Sequence, residues 1–549
     1  MGASAYVDTF ARDHLPPQEQ WPEFIFELPE AQYSQKLNCA AALLDDAISR
    51  GWGDRPIIHV ASAESEARTF VTYRQLLALS NRIAHVLTED LGLVPGNRVL
   101  LRSPNSVMLA ACFFAVWKAG GIVVPTMRLL RAKELRHVID KARVDIALCD
   151  IRLKDELDAA AQAGGASPKL VFFGDGAQHA LERRLDSKSV DFTNVDTAAD
   201  DVAVIAFTSG TTGAPKAALH FHRNVMAMCD CWPRSILAPR PDDIFCGTPP
   251  LAFTYGLGVM LCVPMRYGAS TVLMETVTPP GLLEAITRFR CTFVATVPTF
   301  YRKMAPLVPQ FDISSLRTAI SSGEALSDAT RQLFRNASGI EPIDGLGATE
   351  MMQTFISHTP DKARAGATGY VIPGYRAIVM DENGKPCPPG VTGRLAVKGP
   401  TGCLYLSDER QQRYVQHGWN ITGDMYRMDE DGYFYFQGRS DDTIVSAGYN
   451  ISGLEVESFL LQHEAVADCA VVGVPDEERG QIVSAFVVLK PDVVCDPHMA
   501  KTLQDFVKAG LAPYKYPRRI EIVASLPLSE AGKLQRFRLR ELPTTTTGA

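Results

Sequence analysis

The sequence has no apolar run long enough to cross a membrane, no dense block of Lys or Arg, and no second cysteine pair beside its single C-x-C. Each absence excludes something. The longest apolar run, residues 107–117, is stopped by Lys118. That is about half of what a spanning helix needs, so a core helix is expected there instead. A net charge of −7 offers no basic field to nucleic acid, and no nucleic-acid partner is expected. Of the 12 cysteines only Cys229 and Cys231 lie close together, without the further pair a zinc site would want. The scattered thiols are read as reduced, in a cytoplasmic protein. No basic-then-apolar leader pattern is present, and Tyr6 stands where myristoylation wants Ser or Thr.

What is present is an ordinary globular composition, 46% hydrophobic and 21% charged, over 549 residues. That length is roughly three to four domains' worth of chain. Strand and helix patterns alternate through the first 440 or so residues, which predicts α/β layers. Leu76, Leu79, Ile83, Val86 and Leu87 mark one helical face. Residues 98–101, 170–173 and 292–296 read as short buried strands, and 117–125 as a helix end, a glycine stop and a strand. Near Gly438-Arg439-Ser440-Asp441-Asp442 the texture changes. Strands at 469–474 and 483–489, a helix around 501–509 and a strand at 520–523 make up a small α+β domain. The expected organisation is a large domain over 1–438, a hinge at 439–441 and a C-terminal domain over 442–549. Its threonine-rich tail from about 543 is expected to be disordered. No internal repeat was found.

The most informative stretch is Thr208-Ser209-Gly210-Thr211-Thr212-Gly213-Ala214-Pro215-Lys216. An apolar strand, 201–207, runs straight into it. Such a loop offers backbone N–H groups and hydroxyls to an anion, with no Cβ at Gly210 or Gly213. It is not a P-loop, which needs four residues between its glycines and Ser or Thr after the Lys. Here two residues separate the glycines and Ala217 follows the Lys.

The loop resembles the signature of the adenylate-forming enzymes: acyl- and aryl-CoA synthetases, luciferases and peptide-synthetase adenylation domains. Other segments of that family follow in order across most of the chain. The resemblance implies a reaction in which ATP converts a carboxylate to an acyl-AMP, releasing pyrophosphate, before a thiol displaces AMP. It implies ATP, Mg2+ and coenzyme A as cofactors and co-substrates. The loop, with Lys216, is then the cradle of the β- and γ-phosphates.

In Asp344-Gly345-Leu346-Gly347-Ala348-Thr349-Glu350 the resemblance assigns Thr349 to the α-phosphate and Glu350 to Mg2+, a hard cation that suits carboxylate oxygen. Gly323, Glu324 and Ala325 resemble the strand end at the adenine pocket. Leu346 stands where many relatives carry Tyr, so an aliphatic face replaces a stacking ring. Asp424 is assigned to the ribose hydroxyls, Arg439 to a second ribose contact and Phe436 to packing near the base. In the C-terminal part, Lys533 resembles the lysine that bridges carboxylate and α-phosphate during adenylation. Gly448 and Tyr449 resemble the loop that lines the pantetheine tunnel, with a hinge at Asp441.

For the acid, Phe253, Thr254 and Tyr255 suggest a short flat slot rather than a fatty-acyl tunnel. Phe253-Thr-Tyr-Gly-Leu-Gly258 and the stretch around Gly347 are similar to benzoate-CoA ligases, except that Gln353-Thr354 replaces His-Ile. Two neutral hydrogen-bonding groups there suit a polar ring substituent. The run Tyr6-Val-Asp-Thr-Phe10 and onward resembles 2-aminobenzoate-CoA ligases. His220 and His222 are read either as packing residues or as groups near the carboxylate. A carrier protein in place of free CoA remains the alternative acceptor.

Overall fold

The computed structural model describes residues 3–60, 69–165, 167–174, 180–208, 215–439, 444–446, 449–476, 478–493, 496–528 and 534–540. Among these, the chain folds into α/β layers built on four sheets. A six-stranded sheet runs, in spatial order, Lys169–Phe173, Ile146–Asp150, Arg98–Arg102, Ile122–Thr126, Val202–Thr208 and Lys216–Phe221. Its strands are parallel until the last pair, which is an antiparallel hairpin. The inner strands Arg98–Arg102, Ile122–Thr126 and Ile146–Asp150 are buried at every position. A parallel sheet covered on both faces wants such unbroken apolar runs. The helix Val107–Lys118 covers it, buried from Leu109 to its end, as expected of a core helix. Gly120, with φ +73°, turns the chain back into the sheet.

The second sheet has nine strands. Its central parallel set includes Phe293–Thr296, Thr318–Ser322 and Pro342–Gly347, followed by the antiparallel strand Thr354–Ser357. A third, antiparallel sheet includes Trp419–Met428 and ends with Phe434–Arg439. The fourth opens at Ile444–Ser446 and is dominated by Val466–Asp476 paired with Gly480–Leu489, with the helix Met499–Gly510 and the strand Arg519–Ile522. Each of the sequence-read elements named above has a counterpart here, with boundaries shifted by a few residues. The proposed hinge Asp441 and the tail from 541 lie outside the described residues.

Among the described residues, an ion pair and a hydrogen bond link the fourth-sheet unit to the larger body. Arg302 pairs with Asp468 at 2.7 Å, and the backbone N–H of Leu534 donates to Glu324 Oε1 at 2.8 Å. The eleven described cysteines are free and ten are buried. No described helix is long and apolar enough to cross a membrane.

Candidate active site

Ligands of open α/β sheets bind beyond the carboxyl ends of the strands. Three motif segments leave such ends. Thr208 closes a strand of the six-stranded sheet, and Ser322 and Gly347 close strands of the nine-stranded one. The hairpin register sets Thr208 opposite Lys216, so the loop between them springs from a fixed base. Ser209, Gly210, Thr211, Thr212 and Gly213 lie outside the described residues. Ala217, which follows the Lys, is fully buried in the sheet.

Lys216 crosses from that hairpin to the other sheet. Its Nζ lies 3.4 Å from Glu350 Oε1 and over the rings of Tyr405 and Tyr414, at 4.9 and 5.7 Å. Tyr405 donates its hydroxyl to the same Glu350 oxygen at 2.6 Å. Burial, then Cys403 and Glu350, push the Tyr405 phenol far above its ordinary range, so it stays a donor. Glu350 Oε2 has no hydrogen bond among the described residues. Mg2+ takes one or two carboxylate oxygens and fills the rest of its shell with water and phosphate, so a lone buried carboxylate with one open oxygen fits it. Thr349 begins a single turn, Thr349–Met351, whose N-cap is Ala348. Its hydroxyl makes no hydrogen bond among the described residues.

A chain of electrostatic neighbours ties the other motif residues to this pair. The Tyr414 phenol is raised by burial, then by Glu350, Cys403 and Asp424. Asp424 sits opposite Arg439 in the third sheet and accepts from its Nη1 at 3.2 Å. The Tyr426 phenol is raised by burial, then by Asp424, with Asp344 a smaller contributor. Its ring meets Phe436 at 5.2 Å. Asp344 and Gly345 lie in register with Ser321 and Ser322, immediately before Gly323, which is exposed with φ +89°. Glu324 accepts from Thr299 Oγ1 at 3.1 Å as well as from Leu534. Ala325 is exposed and Leu346 half-buried. Lys533 lies outside the described residues, but its neighbour Leu534 is held by Glu324, just beyond the strand that ends at Ser322. Gly448 is also outside them, and Tyr449 begins the strand Tyr449–Ile451.

Asp344 is the unusual titrating group. Burial pushes its carboxyl up to about 8, against backbone N–H donors, Gly345 among them, that pull the other way. Unfolded, it releases its proton near 3.8; folded, it keeps it to about 8. Between these values the folded state binds more protons, so stability falls as pH rises. Asp344→Asn is therefore expected to raise the unfolding temperature more at pH 8 than at pH 5. Thermal melts at both values check this, and an equal shift at both overturns it.

The acid side is built from four segments. Phe253 is the half-buried N-cap of Thr254–Leu257, and Thr254 is buried. The Tyr255 hydroxyl is buried without a hydrogen-bond partner, and its phenol is raised to well above its usual range by burial and then by Asp344. A Cβ at Gly347 would fall 2.7 Å from the Gln353 carbonyl, so only Gly fits between these two segments. Met352, with φ +61°, makes the tight turn that brings Gln353 there. A Cβ at Gly345 would touch the Thr354 side chain and the Trp232 ring, which puts those two groups side by side. Trp232 Nε1 and Gln353 Oε1 are buried without hydrogen-bond partners among the described residues. Gln353 Nε2, by contrast, already donates to the Tyr375 hydroxyl at 2.7 Å. The amide thus offers one open polar face rather than two.

The two histidines separate clearly. His222 is a packing residue: its Nδ1 accepts from the Cys39 backbone at 3.2 Å, and burial pushes its pKa down to about 3. His220 is also buried, pushed down to about 4, but neither ring nitrogen makes a hydrogen bond of normal geometry among the described residues. The polar group it approaches is the Thr349 backbone. Sequence reasoning missed Tyr405, Tyr414, Trp232, Tyr375 and Thr299, which belong to no motif.

Known proteins resemble this chain over most of its length. The family model of AMP-binding enzymes matches residues 46–404, and that of the AMP-binding enzyme C-terminal domain matches 455–533. A benzoate–CoA ligase of Thauera aromatica is 33% identical over 521 residues, covering 93% of this chain and 97% of its own length. The crystal structure of an anthranilate CoA ligase in complex with anthranoyl-AMP superposes with a TM-score of 0.87 at 29% identity, covering 94% of this chain and 98% of that one. A benzoate CoA ligase from Burkholderia xenovorans superposes at 0.83 and 30%, covering 92% and 100%. The chain belongs to the AMP-binding enzyme family, as an AMP-forming acyl- or aryl-CoA ligase that draws on ATP, Mg2+ and coenzyme A.

Proposed function

We propose that this ligase activates a small aromatic carboxylate, 2-aminobenzoate foremost, and passes it to coenzyme A. The observation that carries the reading is the acceptor Gln353 Oε1, buried without a partner among the described residues, one position before Thr354, whose side chain and the Trp232 ring both border Gly345. The large majority of buried side-chain polar atoms have partners in native proteins. An ortho amino group on a flat ring supplies the missing donor, and Tyr255 and Trp232 supply aromatic walls.

The chemistry asks for three things. A carboxylate is a poor electrophile, so ATP must lend it AMP as a leaving group, with charge neutralised at the α-phosphate and the carboxylate held in line. In this reading Thr208, Lys216 and the intervening loop hold the outgoing pyrophosphate. Thr349 donates to the α-phosphate. Asp344 and the Gly323–Glu324–Ala325 segment face adenine, with Leu346 and Phe436 packing beside it, and Asp424 and Arg439 hold the ribose. Glu350 holds Mg2+, which supplies charge neutralisation. Lys533 adds its ammonium where carboxylate and phosphate meet. After the hinge at Asp441 turns, the 442–549 domain presents Gly448 and Tyr449 to pantetheine.

The test is kcat/KM for 2-aminobenzoate, 2-hydroxybenzoate, benzoate and octanoate, in the wild type and in Gln353→His/Thr354→Ile. An unpaired buried acceptor costs roughly 1–3 kcal/mol. 2-Aminobenzoate is therefore expected to exceed benzoate on the order of tenfold or more, with octanoate poorest. The double variant is expected to close the gap. Benzoate or octanoate winning in the wild type overturns the substrate assignment.

A further inference from the structure

The Gln353 amide is one end of a buried chain of hydrogen bonds that has only one possible direction. At the far end is a backbone carbonyl, Met351 O, which can only accept. Thr401 Oγ1 lies 2.7 Å from it and donates its single hydroxyl hydrogen there. Tyr375 OH lies 2.6 Å from Thr401 Oγ1. With the threonine hydrogen committed, Tyr375 must be the donor in that contact. Its oxygen is then left as an acceptor, and only the NH2 side of Gln353 can serve it, at 2.7 Å. All four groups are buried, so no solvent relaxes the order. Gln353 Oε1 is forced to the opposite side, where it has no partner among the described residues.

An amide side chain carries a donor and an acceptor of nearly equal size, and nothing intrinsic fixes which way it faces. Here two hydroxyls and a carbonyl fix it, with the buried Cys231 thiol a further hydrogen-bonding neighbour of the same amide. We infer that Tyr375 and Thr401 are positioning residues for substrate choice: through Gln353 they set the pocket as a hydrogen-bond acceptor, so that it selects aromatic acids whose ring substituent carries an N–H donor. This rests on the aryl-ligase reading above and deepens it. The acid need not touch either hydroxyl. Thr401 is 48 positions from Gln353 in sequence and acts on the substrate only through the orientation it imposes.

The wiring has a distinctive consequence. Removing the threonine hydroxyl frees the Tyr375 hydrogen, which turns to Gln353 and flips the amide. The NH2 then faces the pocket, and donor-bearing rings lose their acceptor. Removing the tyrosine hydroxyl instead leaves the amide unanchored.

The experiment measures kcat/KM for 2-aminobenzoate, benzoate and 2-fluorobenzoate with wild type, Tyr375→Phe, Thr401→Val and Thr401→Ser. The wild type is expected to favour the amino acid. Tyr375→Phe and Thr401→Val are expected to cut its advantage over benzoate by about tenfold, the size of one mispaired buried group. In Thr401→Val the 2-fluoro ring is expected to gain on benzoate. Thr401→Ser, which keeps the hydroxyl, is expected to restore the wild-type ratio. Variants that slow all three acids by the same factor overturn the relay and leave Tyr375 and Thr401 as packing residues. So does a Thr401→Ser ratio that matches Thr401→Val. A wild type that turns over no aromatic acid overturns the underlying reading and the relay with it. One that turns over all three without preferring 2-aminobenzoate overturns the relay and the 2-aminobenzoate assignment together, and leaves the aryl-ligase reading standing.

Discussion

Lys533→Ala is expected to slow adenylate formation by roughly 10²–10³ while leaving thioester formation from pre-made aryl-AMP within a few-fold of the wild type. The asymmetry follows from where charge develops. In the first half-reaction the carboxylate oxygen attacks the α-phosphate, and negative charge builds between two groups that already repel each other. An ammonium at that point stabilises the transition state more than the ground state, which is the condition for acceleration. In the second half-reaction the attacked centre is the acyl carbon, and pyrophosphate has gone. The backbone supports this placement: the N–H of Leu534, the next residue, is held by Glu324 at the strand end beside Asp344. ATP–pyrophosphate exchange reports the first step, and CoA-dependent consumption of synthetic aryl-AMP reports the second. Equal losses in both would mean that the lysine acts elsewhere.

Why much of this was legible, and some not, comes down to the range of the signal. Parallel strands such as Arg98–Arg102 and Ile122–Thr126 are buried along their whole length, so their apolar runs announce them. The motif residues were legible for a related reason. Lys216 follows its loop, and Glu350 follows its glycines, at short fixed spacings set by one turn of backbone each. Tyr405 could not be found this way. It meets Glu350 across 55 positions, through a sheet contact that no local pattern encodes. Tyr375 and Thr401 are the same case, joined to the 351–353 turn only by the packing of separate sheets. The two histidines show a further limit. His220 and His222 are two residues apart and both fully buried, yet one is met by the Cys39 backbone and the other by no normal hydrogen bond among the described residues. Which of them packs and which faces the site depends on a segment nearly two hundred residues upstream. For Gln353 the sequence suggested a hydrogen-bonding group at this edge; the structure adds that its NH2 half is taken by the Tyr375 hydroxyl, leaving Oε1 without a partner among the described residues.

The other large effect is expected at Glu350. Its Oε1 serves Lys216 and Tyr405 together, and Oε2 is the one oxygen left open. Glu350→Gln keeps the shape and removes the charge. Lys216 then loses its counter-ion, and an amide oxygen is a weaker partner for Mg2+ than a carboxylate. Pyrophosphate exchange is expected to fall by roughly 10²–10³, the usual cost of losing one group that stabilises transition-state charge. Raising Mg2+ is expected to recover part of that loss, since the variant binds the ion less tightly rather than in another place. Tyr405→Phe is the informative companion. It removes one donor from a charged oxygen and leaves the charge, so its cost is expected near 1.5–3 kcal/mol, about ten- to a hundredfold in rate, with no recovery on raising Mg2+. The measurement is exchange rate against Mg2+ concentration for the three proteins, with the thioester half-reaction as control. If Glu350→Gln and Tyr405→Phe fall equally and neither responds to Mg2+, the carboxylate serves to fold the Lys216–Tyr405 cluster and does not hold the ion. If instead Glu350→Gln falls further and Mg2+ lifts it alone, the carboxylate is the ion's protein ligand, and Tyr405 serves only to hold Oε1 while Oε2 stays open.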